Sequence, residues 1–334
     1  MAGVETSIAR GEWLDPARSA VTVASWAEQW LATRGDLRAS TRARLAGVVR
    51  HHVIAQFGPR RLATIGNAEI RQWVAQMSAS GLSAASTRKA VFALRMMLAA
   101  AVADRRLSVN PATAVPLPAE HACEQRFLSQ SQVWTLADTI AVRYRALVLL
   151  GAFGGLRWGE LAGLRRSRVD VLRSRVTIAQ TATDVGGQIA FGEPKTAKSR
   201  RVVPIARSIM REVEAHMAEH VGPEADALVF TGATGGPMYR GTFWPTVWRP
   251  AVTASGLDGL RIHDLRHTFV AIMTAAGAGP KEVSTWAGHS SVSFTYDRYG
   301  HLYEDHADDV ADRLDVLLTA RRERDASVRA IGRN

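Results

Sequence analysis

Between residues 22 and 108 apolar positions recur three and four apart, with Ser, Thr or Asn at the head of each periodic stretch. That pattern predicts amphipathic helices. Thr22 is the expected cap of a helix carrying Trp26, Trp30 and Leu31. Ser40-Thr41 opens a second with Leu45, Val48, Val49 and Val53. Asn67-Ala68-Glu69 opens a third with Ile70, Trp73, Val74 and Met77, and Ser86-Thr87 a fourth with Val91, Leu94, Leu98 and Val102. Three prolines (Pro111, Pro116, Pro118) then break the pattern and read as an extended linker. From Leu128 the chain turns mixed. Helical spacing covers about 129–164. Strand-like alternation follows in Val176-Thr177-Ile178 and Arg201-Val202-Val203-Pro204-Ile205, with Gly186-Gly187 between them, predicting a small antiparallel sheet. Helices resume at about 207–220, 242–255, 264–277 and 280–287, with a last one at about 304–324, and no internal repeat is visible. The expected fold is mainly α with a small antiparallel sheet. It divides into an extension (1–20), a helical four-helix domain (21–109), a linker (110–126), a mixed α/β domain (127–303) and a C-terminal helix and tail (304–334).

Charge changes this picture more than composition does. Apolar residues make 47% and charged residues 22% of the 334, ordinary for a globular protein, but the net charge is +11. The surplus is +6 in residues 1–125 and +7 in 126–301, against −2 in 302–334. Two basic domains point to a polyanion, nucleic acid first, held between two positive lobes. The longest uncharged apolar run, between Arg145 and Arg157, has eleven residues, too few to span a bilayer. Met1 to Ala20 carries scattered charges and no apolar core, so no secretory signal is expected, and the single Cys123 excludes an internal disulfide and argues against a structural zinc. A cytoplasmic, nucleoid-associated protein is the expectation. Of 42 basic residues only Lys89, Lys195, Lys198 and Lys281 are lysine. Lysine can release a proton where arginine effectively cannot.

Candidate chemistry gathers in one domain: Arg157 in Gly155-Leu156-Arg157, Glu160-Leu161, Pro194-Lys195-Thr196, His263-Asp264-Leu265-Arg266-His267, Gly288-His289 and Tyr299-Gly300-His301. Two guanidinium forks can grip nonbridging phosphate oxygens and gain as charge develops there. Two imidazoles add donors, a lysine can protonate a leaving oxygen, and a phenol can attack. Taken singly, each residue has an ordinary reading. Arg157 can be an ion-pair arginine, Lys195 and Lys198 solvated loop charges, and His289 a helix cap. His263 and His267, four apart, can be a metal pair, though a third ligand at useful spacing is missing. Tyr296, Tyr299 and Tyr303 can all be packing residues. Order and spacing within one basic domain favour the joint reading.

The same motifs resemble the tyrosine recombinases, above all phage and integrative-element integrases of actinobacterial type. The resemblance covers nearly the whole chain. It implies a SAM-like helical core-binding domain followed by the recombinase catalytic domain. It implies that Arg157 and Arg266 grip the scissile phosphate, with His263 and His289 as donors or proton carriers. Lys195 then protonates the leaving oxygen and Tyr299 attacks, being the tyrosine of Tyr-Gly-His, while Glu160 orients the catalytic groups. It further implies no metal or nucleotide, a homo-tetramer on double-stranded attachment sites that is a monomer or weak oligomer when free, strand exchange through a Holliday junction, and a directionality factor or host DNA-bending protein. Arg166-Ser167-Arg168 departs from a Trp-x-Asp pattern of many relatives. Residues 1–20 are too short for an N-terminal arm-binding domain, so the chain is either a naturally arm-less integrase, which is the expectation, or a shortened one.

Expected DNA contacts are Thr41, Arg42, Arg44, Arg88 and Lys89 near two helix starts, and Arg200, Arg201 and Arg240 in the second domain. After Tyr299, the stripe Val310, Leu314, Leu317 and Leu318 either packs on its own domain or docks on a neighbouring protomer. Two other functions compete with site-specific recombination: a type IB-like topoisomerase, and a DNA-binding regulator that has lost catalysis.

Overall fold

The computed structural model describes residues 20–120, 125–194, 199–289, 291–300, 302, 311–312, 314–316 and 318–319. Lys195, Lys198, Tyr303, Val310 and Leu317 lie outside the described residues. The chain divides into two compact units at about residues 123–124.

The first unit is helical. Its elements are α1 (Val23–Ala32), α2 (Ala39–Val48), α3 (Asn67–Ala79) and α4 (Ala84–Ala103), with α2 running on through a wider π-type turn at Val49–Ile54 to Ala55–Phe57. Thr22 caps α1 as its sequence predicts, accepting from the Ser25 amide. The start of α4 lies earlier than expected, because Ser83 rather than Ser86 accepts from a first-turn amide. Either serine satisfies the rule that a short oxygen side chain covers an orphan N–H, and only packing selects between them. Trp26, Trp30, Phe57, Ile70, Trp73, Leu94, Met97 and Leu98 form the core. The stretch 110–117 is folded onto this unit: Ala112 and Val115 are buried in its core, Asn67 donates to the Pro111 carbonyl, and Asn110 donates to that of Arg95.

The second unit begins with α5 (Gln130–Thr139), α6 (Arg145–Gly154) and the single turn α7 (Trp158–Ala162). A three-stranded antiparallel sheet follows, ordered β1 (Val169–Asp170), β2 (Arg175–Ile178), β5 (Arg201–Pro204), with Val176 opposite Val203. Strands β3 (Thr181–Val185) and β4 (Gln188–Gly192) form a separate hairpin, turned at Gly186-Gly187. Helices α8 (Arg207–His220), α9 (Arg240–Phe243), α10 (Arg249–Ala254), α11 (Ile262–Ala275), α12 (Pro280–Ala287) and α13 (Val292–Tyr299) complete it. Among the described residues no helix is long and apolar enough to cross a membrane.

Helix α11 lies unusually close to α6. Gly151 leaves room for Leu265, and a Cβ at Gly155 would stand 2.4 Å from the Phe269 ring. Gly155 also ends α6 with φ of 65°, a conformation that a side chain would strain. That approach brings Arg266 of α11 against the end of α6.

Candidate active site

Two short motifs are each built by the same local device. In Arg157-x-x-Glu160 the carboxylate turns back to accept the Arg157 amide at 2.8 Å, which starts α7. In Arg261-x-x-Asp264 the carboxylate accepts the Arg261 amide at 2.7 Å and starts α11. An acid at the third helical position satisfies an orphan amide and favours the positive end of the helix. The consequence is that Arg157 caps α7, while His263 and Arg266 stand within the first two turns of α11.

Glu160 is the anchor of the site. Its side chain is 1% exposed and takes both guanidinium nitrogens of Arg201 at 2.9 Å, with Nη1 of Arg157 also at 2.9 Å. Burial opposes its ionisation, but the bonds and charge of Arg201, with the charge of Arg157, outweigh it and hold the carboxyl at about 2. The same two arginines reach the end of α12. Arg201 Nε donates to the Trp286 carbonyl and Arg157 Nη2 to that of Gly288, each at 2.6 Å. One buried carboxylate thus ties β5, α7 and the turn before His289 together.

Arg201 was expected on a DNA-facing surface, and the structure corrects this. Its side chain is buried in the Glu160 pair, where a free cation would be costly and a matched fork is stable. Arg200 is exposed but paired with Glu193. Arg88 bonds the Pro118 carbonyl and pairs with Glu120. Arg42, Arg44, Lys89 and Arg240 are exposed. Thr41, Arg44 and Lys89 line one groove of about 370 Å³ with Phe92 and Met96.

Around this anchor the remaining candidates converge. Arg266 is 2% exposed and donates through Nη1 to the Gly155 carbonyl at 2.8 Å, while its buried Nη2 has no partner among the described residues. Burial, aided by the Arg157 charge, pushes the guanidinium down to about 9, so it remains charged at neutral pH. An unmatched buried donor on a cation is costly, and an anion beside it would recover that cost. His289 sits just past α12, with Nδ1 2.8 Å from the Thr295 hydroxyl. That hydroxyl can occupy Nδ1 as a donor, leaving Nε2–H to meet an anion. The His289 ring stacks parallel to Tyr299, centroids 5.9 Å apart with planes 6° apart. Burial, with the charges of Arg266 and Arg157, lowers His289 to about 3. His263, at the start of α11, keeps part of its surface in solvent while its ring is enclosed enough to meet the His267 ring edge to face at 4.9 Å. Burial, then Arg266 and Arg157, lowers it to about 4.

Tyr299 ends α13 and is 1% exposed, held with Phe269, Val270, Val283 and Ala287 in a small apolar cluster of its own. Its hydroxyl lies 2.5 Å from Nδ1 of His267. Burial raises its pKa, and the charges of Arg266 and Arg298 work against the rise. By contrast Tyr296 is 58% exposed. The structure therefore brings together Arg157, Glu160, His263, Arg266, His289 and Tyr299. Two participants were not assigned to this site from the sequence. Arg201 reads there as one more surface arginine, and His267 as half of a metal pair. The signal for His267 was its place beside Arg266, but its partner is 32 residues away.

Comparison with known proteins places the chain in a family. The phage integrase family profile matches residues 125–306, and that of the phage integrase N-terminal SAM-like domain matches residues 22–78. The chain is 30% identical over 294 residues to the integrase of Mycobacterium phage FRAT1, covering 84% of this chain and 86% of that protein. Among solved structures it resembles the Tn1549 transposon integrase in complex with transposon right end DNA, with TM-score 0.71, 20% identity, and 88% and 100% of the two chains covered. It also resembles a lambda integrase dimer bound to a COC′ core site, with TM-score 0.63, 17% identity, and 82% and 97% covered. At these identities the structural likeness is one of fold.

Proposed function

Because the chain belongs to the phage integrase family and is a tyrosine-type site-specific recombinase, we propose that it cuts and rejoins duplex DNA through a covalent bond between Tyr299 and a 3′ phosphate. The observation that carries this is the cluster itself. A phenol whose ring runs parallel to that of His289 shares this cluster with a buried arginine whose Nη2 has no acceptor among the described residues. In this reading Arg266 Nη2, Arg157 and the free edges of His263 and His289 hold the phosphate oxygens. Each such donor supplies about 3–4 kcal/mol to the charged transition state. Glu160 and Arg201 fix the position of Arg157 and His289. Lys195, assigned from the sequence, protonates the departing 5′ oxygen.

DNA is held by both units, each of which is basic. Arg42, Arg44, Thr41 and Lys89 serve the first and Arg240 the second. The chain acts as a tetramer that exchanges strands through a Holliday junction, in the bacterial cytoplasm, to integrate or excise a phage or mobile element. A directionality factor or a host DNA-bending protein would choose between those outcomes. The exposed Leu314, Val316 and Leu318 of the tail support its docking on a neighbouring protomer.

The test is a nicked duplex, recovered from a randomised pool by binding to this chain, whose cut product diffuses away and traps the enzyme. A covalent adduct is expected with the wild type and none with Tyr299→Phe. Relaxation of supercoils without site preference would favour the topoisomerase reading instead.

A further inference from the structure

Tyr299 must lose its proton to attack, and burial makes that loss harder, so a specific acceptor is required. Four side chains are close enough to compete for that role. The His289 ring runs parallel to the phenol ring with centroids 5.9 Å apart, and its Nδ1 is already engaged by Thr295. His263 meets the ring of His267. Arg298 reaches the hydroxyl but is a guanidinium with no lone pair to offer. His267 remains, with Nδ1 2.5 Å from the phenol oxygen and its ring 3% exposed.

Resting on the reading of Tyr299 as nucleophile, we propose that His267 receives the phenolic proton when Tyr299 attacks the phosphodiester. The O–H bond of Tyr299 breaks and its proton passes to Nδ1 of His267, which carries the lone pair in the resting tautomer. The freed electron pair forms the bond to phosphorus. The bond from phosphorus to the 5′ oxygen breaks, and that oxygen keeps the pair and takes a proton from Lys195 or from water. His267 is left as an imidazolium beside the new phosphotyrosyl diester, and rejoining runs the same transfers in reverse.

The surroundings of His267 make this transfer dependent on substrate. Facing it are His263, Asp264, Arg266 and the capping Arg261 from its own helix, Arg298 and Tyr299 from α13, and His289 from the turn after α12. Burial, then His263 and Arg298, hold it at about 4, with Asp264 opposing. By itself it is therefore neutral at physiological pH and a poor base. A phosphate seated on Arg266 places an anion near the ring, which favours the charged form and raises its basicity. The hydroxyl then loses its proton only when a phosphodiester is in position.

His267→Asn keeps an acceptor atom near the Nδ1 position but cannot hold the proton, and His267→Ala removes both. Single-turnover cleavage of the same nicked duplex is measured from about pH 6 to about pH 9. Melting and binding to uncut duplex are recorded for each variant, and the reading is taken from the variant that remains folded. Both variants are expected to bind DNA normally and to cleave about 100-fold more slowly at neutral pH. The gap should narrow as pH rises and hydroxide takes over. A substrate whose 5′ leaving atom is sulfur, which needs no protonation, should not restore the rate. A His267→Asn profile that superimposes on the wild type would overturn the proposal, as would rescue by the sulfur leaving group. An adduct formed by Tyr299→Phe would instead remove the nucleophile assignment on which it rests.

Discussion

Glu160 shows how much a single buried charge organises here. It holds two arginines that themselves grip the carbonyls ahead of His289. Removing one partner of a buried pair costs roughly 3–5 kcal/mol, because the other charge is left without compensation. Glu160→Gln should therefore lower the melting temperature at neutral pH and slow cleavage, while binding to uncut DNA stays close to wild type. The pH dependence follows with a definite sign. The folded carboxyl titrates at about 2 against 4.5 ordinarily, so its stabilisation, about 3 kcal/mol, is present above pH 4.5 and is lost as pH falls toward 2. His267 and His289 act in the same direction at higher pH. Folded, they titrate at about 4 and about 3 against 6.5 ordinarily, so below pH 6.5 the unfolded chain takes up more protons and is favoured. Calorimetry from neutral to acid pH should show the melting temperature of the second unit falling below about 6.5 and falling further below about 4.5. In Glu160→Gln the second leg should flatten. At this scale Arg157, Arg266, His289 and Tyr299 were legible because each sits in a short motif. The pairs His267–Tyr299 and Arg201–Glu160 were not, since their partners lie 32 and 41 residues apart and meet only in the folded chain.

At the scale of elements, most helices followed from apolar spacing, and the element that carries Tyr299 did not. Val292–Tyr299 reads Val-Ser-Phe-Thr-Tyr-Asp-Arg-Tyr, which is rich in β-branched and aromatic residues and lacks a helical stripe. It is helical because Ser291 caps it, accepting from the Phe294 amide, and because Thr295 and Tyr299, four apart, are buried against His289 and the apolar cluster. Ser291→Ala should remove about 1 kcal/mol from the helix start. Its effect should fall on cleavage rate more than on DNA affinity. A cleavage rate equal to wild type would show that the cap does not position Tyr299. Gly288 is the second structural dependency. It ends α12 with φ of 64°, and a Cβ there would lie 2.9 Å from the Arg201 guanidinium. Gly288→Ala should disturb the Glu160 pair as well as the turn, and so reduce both melting temperature and cleavage.

For the molecule as a whole, the separation into two basic regions was legible from charge and from the change of period near Leu128. The fate of the proline-rich stretch was not. Prolines predict an extended path, but the burial of Ala112 and Val115 that fixes 110–117 on the first unit depends on surfaces far away in sequence. If both units bind phosphates, affinity for duplex DNA should fall steeply with salt. About six contacts would cost about a thousandfold between roughly 50 and 200 mM. A salt-insensitive constant would contradict the assignment of Arg42, Arg44, Lys89 and Arg240. Deleting the chain after residue 304 should weaken assembly of paired sites more than binding to one site, and equal losses would contradict tail docking. The attack by Tyr299 is tested most directly by trapping the covalent adduct on a nicked duplex, digesting it, and mapping the modified residue by mass spectrometry. A phosphodiester is expected on Tyr299 alone, absent from Tyr299→Phe. A modification on the exposed Tyr296, or an adduct that survives loss of the Tyr299 hydroxyl, would contradict it.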